Sequence, residues 1–226
     1  MDYFNEKWAY YDMKRSAVDP LPSWLPRQGL AYYDDFGELR EYAPTGQHYI
    51  IESRNSSTAT FSIQTFAGKK CLYKDKAGKQ IRFNQASDTG TFTAGIWVYD
   101  NLQTSTNQQS FNIQSPNVMS VMINNRSSSR YFLGLYDYTT SSTKYGIYGG
   151  TEEKQKWNLL VARQLATGWE FWLNNVYKGN AAHLPQTFSR VLIHYYQNYG
   201  TGLRDAFLYD RVLTEAEMTT IYDNTK

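Results

Sequence analysis

The 226-residue chain has one cysteine, three histidines and six prolines, and each scarcity closes off a class of protein. Cys71 alone rules out an internal disulfide framework and any multi-cysteine metal site. His48, His183 and His194 are too scattered for a zinc cluster. No apolar run approaches the ~18 residues of a membrane-spanning helix, so membrane insertion is not expected. Charge is sparse and balanced: 23 Lys and Arg against 21 Asp and Glu leave +2, which argues against nucleic-acid binding. Branched aliphatics are few as well, with Ile, Leu and Val together numbering 35.

What takes their place is aromatic. The chain carries 20 Tyr, 11 Phe and 6 Trp, enough large side chain to fill an interior and so to exclude disorder. Met1 is followed by Asp2-Tyr3-Phe4-Asn5-Glu6, without the basic start and apolar block of a signal peptide. A cytosolic protein, a mature processed chain and a phage particle protein all fit that start.

Residues 1–27 read as an arm. Phe4, Trp8 and Tyr11 are spaced for one stripe of a short helix, and Pro20, Pro22 and Pro26 stiffen the connector that follows. Such an arm either packs back on the domain or docks to a partner through Phe4, Trp8, Tyr11 and Trp24. Residues 28–226 form the domain, a series of short strands separated by turn residues. Phe92 to Tyr99, Ser110 to Gln114, Val118 to Ile123, Tyr131 to Tyr136, Trp157 to Gln164, Trp169 to Leu173, Arg190 to Tyr196 and Arg204 to Asp210 are rich in strand formers. Asn174-Asn175 fits a tight hairpin turn, because Asn tolerates positive φ. The spacing predicts an all-β sandwich or barrel. One helix is specified, at Thr214-Glu215-Ala216-Glu217, by a capping box and a Leu213/Met218 hydrophobic staple.

The segment from Gly202 to Glu217 resembles the closing stretch of laminin G-like domains in the concanavalin A-like jelly-roll superfamily. It carries a glycine, an acidic residue, a strand, then Tyr209-x-Arg211-x-Leu213-Thr214-x-x-Glu217. Gly29 to Tyr33, Phe92 to Val98, and Trp157 to Val161 followed by Gly168 to Asn175 resemble earlier markers of that family, in its order. The resemblance implies a two-sheet antiparallel jelly roll ending in a short helix. The chain departs from the family at Asn174-Asn175, where Asn-Gly is usual, and after Asp35, where the family's early loop is absent. The second departure weakens any inherited calcium site.

Catalysis is not expected. The superfamily's glucanases carry paired acids as E-x-D-x-x-E on one strand, where alternation aims them at one face; this chain has no such segment. Nor does any serine lie in a G-x-S-x-G elbow. Asp34, Asp35, Asp100, Asn101, Asp137 and Asp205 suit an oxygen-ligand calcium site, but Asp and Asn are equally ordinary in surface turns, so no cofactor is assigned. Lys69, Lys70, Lys74, Lys76, Lys79 and Arg82 against Asp75 give +5 over 14 residues, read as either a patch for sulfated or phosphorylated glycans or a solvated hairpin with Ala77-Gly78 at its tip. Cys71 within it should face the core. Arg190 to Gly200 is the most suggestive stretch, since aromatic faces stack on sugar rings while His, Asn and Gln give directional hydrogen bonds. One face of its strand should serve the core, leaving His194, Tyr196, Asn198 and Tyr199 for ligand, with Arg126 and Arg130 as further candidates. The expected function is non-catalytic recognition of a surface glycan or cell-surface polysaccharide, at a virion surface or outside the cell. The alternative is a phage capsid or tail protein docked through its arm; self-association is open, and a glycoside hydrolase lacks its acid pair.

Overall fold

The computed structural model describes residues 21–36, 41–42, 50–53, 58–87, 90–100, 108–114, 119–126, 130–137, 142–151, 155–182, 188–193 and 200–226. They form two antiparallel sheets. The larger contains β1 (Leu30–Asp34), β2 (Glu41–Tyr42), β4 (Phe61–Phe66), β5 (Lys69–Lys74), β7 (Phe92–Asp100), β12 (Trp157–Leu165), β13 (Gly168–Leu173), β14 (Val176–Ala181) and β16 (Thr201–Tyr209). Its order is β14-β13-β12-β7-β16-β1-β2, with β5 also pairing on β16 and β4 on β5. The second sheet contains β3 (Ile50–Ser53), β6 (Lys79–Ser87), β8 (Gln108–Gln114), β9 (Met119–Arg126), β10 (Arg130–Asp137), β11 (Ser142–Thr151) and β15 (Phe188–Ile193), in the order β11-β10-β9-β8-β15-β6-β3. This is the expected two-sheet all-β sandwich. Phe4, Trp8 and Tyr11 lie outside the described residues.

Alternation along β7 explains the packing. Phe92, Ala94, Ile96 and Val98 join Phe111, Ile113, Val191 and Ile193 of the second sheet in the core between the sheets. Trp97 faces the other way, into an outer cluster with Leu21, Leu25, Tyr33, Phe207, Tyr209, Leu213, Met218 and Ile221. Both faces of β7 are therefore covered, and the strand is apolar along most of its length instead of alternating with polar residues. Gly95 is the gap in it. A Cβ there would stand 2.2 Å from Cζ of Phe207, so the missing side chain is what lets that ring lie across β7.

The outer face is closed by helix α1 (Glu215–Thr225) and by residues 21–26. The helix starts as expected: Glu217 N–H donates to Thr214 Oγ1 at 3.2 Å, and Thr214 N–H donates to Glu217 Oε2 at 2.9 Å. Leu213 and Met218 are both buried in the outer cluster. The Asn174-Asn175 turn has φ values of 51° and 62°. Its side chains show why Asn serves there: Asn174 Oδ1 accepts from Leu159 N–H at 2.8 Å, and Asn175 Nδ2 donates to Thr219 Oγ1 at 2.8 Å.

Two expectations change. The basic segment is not one hairpin with its tip at Ala77-Gly78: β5 belongs to the larger sheet and β6 to the smaller, so residues 75–78 cross between sheets. The hairpin is β4–β5, turning at Ala67-Gly68, both with positive φ. Alternation did not leave one face of β15 free either. Val191 and Ile193 enter the inter-sheet core, but Leu192 on the opposite face is only 2% exposed. Cys71 is fully buried and its thiol is pushed up to about 12 by burial, which keeps it unreactive at neutral pH.

Candidate functional site

The β4–β5 hairpin folds over the outer face of the larger sheet. Phe66 stacks on Tyr99 with centroids 5.0 Å apart, and Trp157 Nε1–H donates to Phe66 O at 3.0 Å. Gly202 allows the approach, since a Cβ there would meet Cys71 Sγ at 2.8 Å and Phe66 at 2.9 Å. The hairpin tip is thereby brought to the end of α1, where Lys69 Nζ donates to Lys226 O at 3.0 Å. Between tip, helix end and residues 22–24 opens a cleft of about 380 Å³.

Its floor is a charged cluster. Strand β16 shifts register between Arg204 and Phe207, and Asp205 has φ of 47°. In a regular strand consecutive side chains point to opposite faces. The bulge cancels that alternation, so Arg204 and Asp205 both line the cleft. Arg204 donates to Asp205 Oδ2 at 2.6 Å, and the Tyr33 hydroxyl donates to Asp205 Oδ1 at 2.8 Å. The guanidinium lies 5.0 Å from the ring centroids of both Trp97 and Trp157, within cation–π reach. Its second terminal nitrogen donates to Thr225 O. Burial pushes the Asp205 carboxyl up, against the pull of Arg204 and Tyr33. Burial and the nearby Asp205 charge raise the Tyr33 phenol far above its ordinary value, so it remains a proton donor.

The mouth has a different character. Lys69 and Lys70 are exposed, Trp24 is half-buried against the outer cluster, and Asp35 and Asn224 complete the rim. Lining cations thus outnumber lining carboxylates, with Lys69, Lys70 and Arg204 against Asp35 and Asp205.

His194, Tyr196, Asn198 and Tyr199 lie outside the described residues. Arg126 and Arg130 are backbone register partners at the last pair of β9 and β10. Because β8 is antiparallel to both β15 and β9, β15 and β9 run the same way. The chain therefore leaves β15 after Ile193 at the sheet end where β9 finishes and β10 begins. Trp24, expected in a docking surface, lines the cleft. From the sequence, Arg204 stands only in a closing strand, Asp205 there and among the acids suited to calcium, and Lys69 and Lys70 in a charge run that fits either an anionic-glycan patch or a solvated hairpin. Nothing in the sequence announces the bulge that joins them.

Two carboxylates elsewhere among the described residues are committed. Glu170 Oε2 accepts from Arg163 Nε at 2.8 Å and Trp172 Nε1 at 3.2 Å, and Glu217 is held by Arg211 at 2.9 Å. Among the described residues no group of three or more His, Cys, Asp or Glu is arranged to hold a metal ion. No helix among them is long and apolar enough to cross a membrane.

No family model and no curated protein matches the chain. Solved structures do. The receptor binding domain of botulinum neurotoxin C/D mosaic serotype superposes with a TM-score of 0.65 at 10% identity, covering 87% of this chain and 51% of that one. The serotype D ligand binding domain in complex with N-acetylneuraminic acid gives 0.63 at 10%, covering 87% and 51%. Domain 4 of AbnA, a GH43 extracellular arabinanase from Geobacillus stearothermophilus, in complex with arabinotriose gives 0.65 at 13%, covering 87% of this chain and 100% of that domain. The chain spans about half the length of the neurotoxin binding domains and the whole of the arabinanase domain. At these identities the likeness is one of fold, and the fold is a β-sandwich shared with domains that were crystallised with sugars.

Proposed function

We propose that the chain is a non-catalytic carbohydrate-recognition module working outside the cell. The observation that carries this reading is the match, over 87% of this chain and all of that domain, to an arabinanase domain in complex with arabinotriose. A second match, to a neurotoxin domain in complex with N-acetylneuraminic acid, agrees with it. For the contact set we propose His194, Tyr196, Asn198 and Tyr199, with Arg126 and Arg130. What supports this choice is that β15 ends where β9 ends and β10 begins, so these residues originate at one end of the seven-stranded sheet. No cofactor is assigned.

The test is a glycan array probed with the full chain, with and without calcium. Binding to at least one glycan, lost in Tyr196→Ala or Tyr199→Ala, is the expected result. Silence across the array under both conditions would overturn the reading. Release of reducing sugar from any bound polysaccharide would replace it with an enzyme.

A further inference from the structure

The cleft on the outer face of the larger sheet lies beside β16 and α1, and its chemistry differs from that of the residues proposed above to contact glycan. Three observations bear on what it takes. At about 380 Å³ it falls within the size range of small-molecule sites. Its floor is built at a cost: Asp205 occupies the left-handed region, which disfavours a residue with a Cβ. That strain is what places Arg204 and Asp205 on the same face, and such local strain gathers at ligand sites. Arg204 is only 7% exposed, yet its Nε–H has no hydrogen-bond partner. Its other two nitrogens are committed to Asp205 and Thr225. The floor therefore carries a buried cationic donor without an acceptor, beneath two exposed lysines and beside the Trp24 ring.

A neutral sugar would satisfy the ring and leave the net positive charge of the lining, three cations against two carboxylates, unbalanced. An anionic one answers both, because a charged acceptor makes stronger hydrogen bonds to Lys and Arg than a hydroxyl does. We infer that the cleft is a subsite for an anionic sugar, one bearing a carboxylate or a sulfate. The anionic group is met by Lys69 and Lys70 above the Arg204–Asp205 floor, and the sugar face lies against Trp24. This rests on the carbohydrate-recognition reading and gives it a ligand class. It also assigns Lys69 and Lys70 a role that the rest of the basic segment, divided between two sheets, does not share.

The experiment is calorimetric titration of the full chain with three oligosaccharides of equal length: a galacturonate, a sulfated galactan and a neutral galactan. The two anionic arms separate carboxylate from sulfate as the source of the charge. The expected result is binding of at least one anionic sugar, at least tenfold tighter than the neutral one and weakening with added salt. Lys69→Gln/Lys70→Gln, both at exposed positions, should lower that affinity at least tenfold with an unchanged melting temperature. Trp24→Ala should lower it as well, which diffuse charge attraction would not do. A chemical-shift titration of the unaltered protein, watching Lys69, Lys70 and Thr225, gives the same answer should a variant fail to fold. Equal affinity for neutral and anionic sugars would overturn the inference, as would full affinity in the double lysine variant or shifts confined to residues far from the cleft. Glycan binding on the array without any anionic preference would leave the recognition reading standing and remove this one. No binding to any glycan removes both.

Discussion

On its inner side the larger sheet packs mainly Phe, Ile, Val, Leu and Ala, with Tyr32 and Trp169, against the smaller sheet; on its outer side it packs Trp97, Trp172, Tyr33 and Tyr209 among Leu, Val and Phe207 under a helix and a short N-terminal segment. The polar tips separate the two sides. On the outer side Trp97 Nε1 donates to Thr225 Oγ1 at 2.7 Å, Tyr33 OH to Asp205, and Tyr209 OH to Pro26 O at 3.0 Å. On the inner side Trp169 is fully buried and its Nε1–H has no partner, while the Tyr32 hydroxyl donates to Asp34 Oδ2 of its own strand at 3.5 Å. A sheet-on-sheet core excludes the loop and helix-end carbonyls that such tips need. A face closed by a helix and an extended segment supplies them. The aromatic excess of this chain is thus partly a matter of where acceptors are, since amphipathic rings serve best beside irregular backbone.

The largest expected effect breaks the outer cluster at its charge pair. Arg204→Ala leaves Asp205 buried with only the Tyr33 hydroxyl, and removing one partner of a buried pair costs about 3–5 kcal/mol. Urea unfolding measures it. Adding Asp205→Asn should return a good part of the loss, because the orphaned charge goes too; no recovery would mean that packing of the guanidinium on Trp97 and Trp157 dominates.

Lys74 is the inner-side counterpart. It shares a face of β5 with Leu72 of the inter-sheet core, is fully buried, and donates to Lys79 O at 2.6 Å. Burial lowers its pKa from 10.5 to about 7. The unfolded chain therefore binds the proton more readily, and stability should rise as pH goes from about 7 to 10.5. The gain is on the order of a few kcal/mol. Lys74→Met keeps the stem and removes the charge, so it should be more stable than the parent at pH 7 and flatten the rise. A parent curve already flat across that range would show the ammonium to be solvated.

Smaller effects test packing alone. Gly95→Ala drives a methyl into the Phe207 ring and should cost about 1–3 kcal/mol, the range for overpacked cores; Phe207→Leu in the same chain should recover part of it. Trp97→Phe should cost about 1 kcal/mol more than Trp169→Phe, because only the first breaks a hydrogen bond. Equal losses would erase the distinction between the two faces.

The same contrast explains what the sequence made legible. The helix start, the Asn174-Asn175 turn and the β9–β10 and β12–β13 pairs are written in neighbouring residues, and all form. The β4–β5 hairpin was missed because Ala67-Gly68 is a weak turn signal beside the long charge run that follows. The sheet crossing at residues 75–78 has no local signature, being fixed by which distant strands β5 and β6 meet. The cleft was illegible for a related reason. Tyr33, Lys69, Arg204 and Thr225 come from four elements, and a bulge that reverses one side chain leaves no trace in composition. The N-terminal boundary shows the limit from the other direction. Leu21 and Leu25 are buried in the outer cluster, so a truncation testing the arm should stop before Leu21 and not at residue 27.

The smallest effects belong to the helix that closes the outer face, and there two devices share one residue. Glu217 caps Thr214 N–H and pairs with Arg211, and chiefly through Arg211 its carboxyl is held down at about 2. Thr214→Ala removes the side chain that accepts from Glu217 N–H and should cost about 1 kcal/mol at any pH where the helix forms. Glu217→Gln keeps a side chain able to cap and loses only the ion pair, which is about a quarter exposed, so its cost should be about 0.5–1 kcal/mol. The two are separable by pH. A depressed carboxyl contributes above its ordinary value of 4.5 and loses that contribution as pH falls toward 2. The deficit of Glu217→Gln should therefore shrink on acidification while that of Thr214→Ala persists. Parallel deficits down to pH 2 in thermal melts would mean that the carboxylate acts as a cap alone, and that the Arg211 pair adds nothing to the closure.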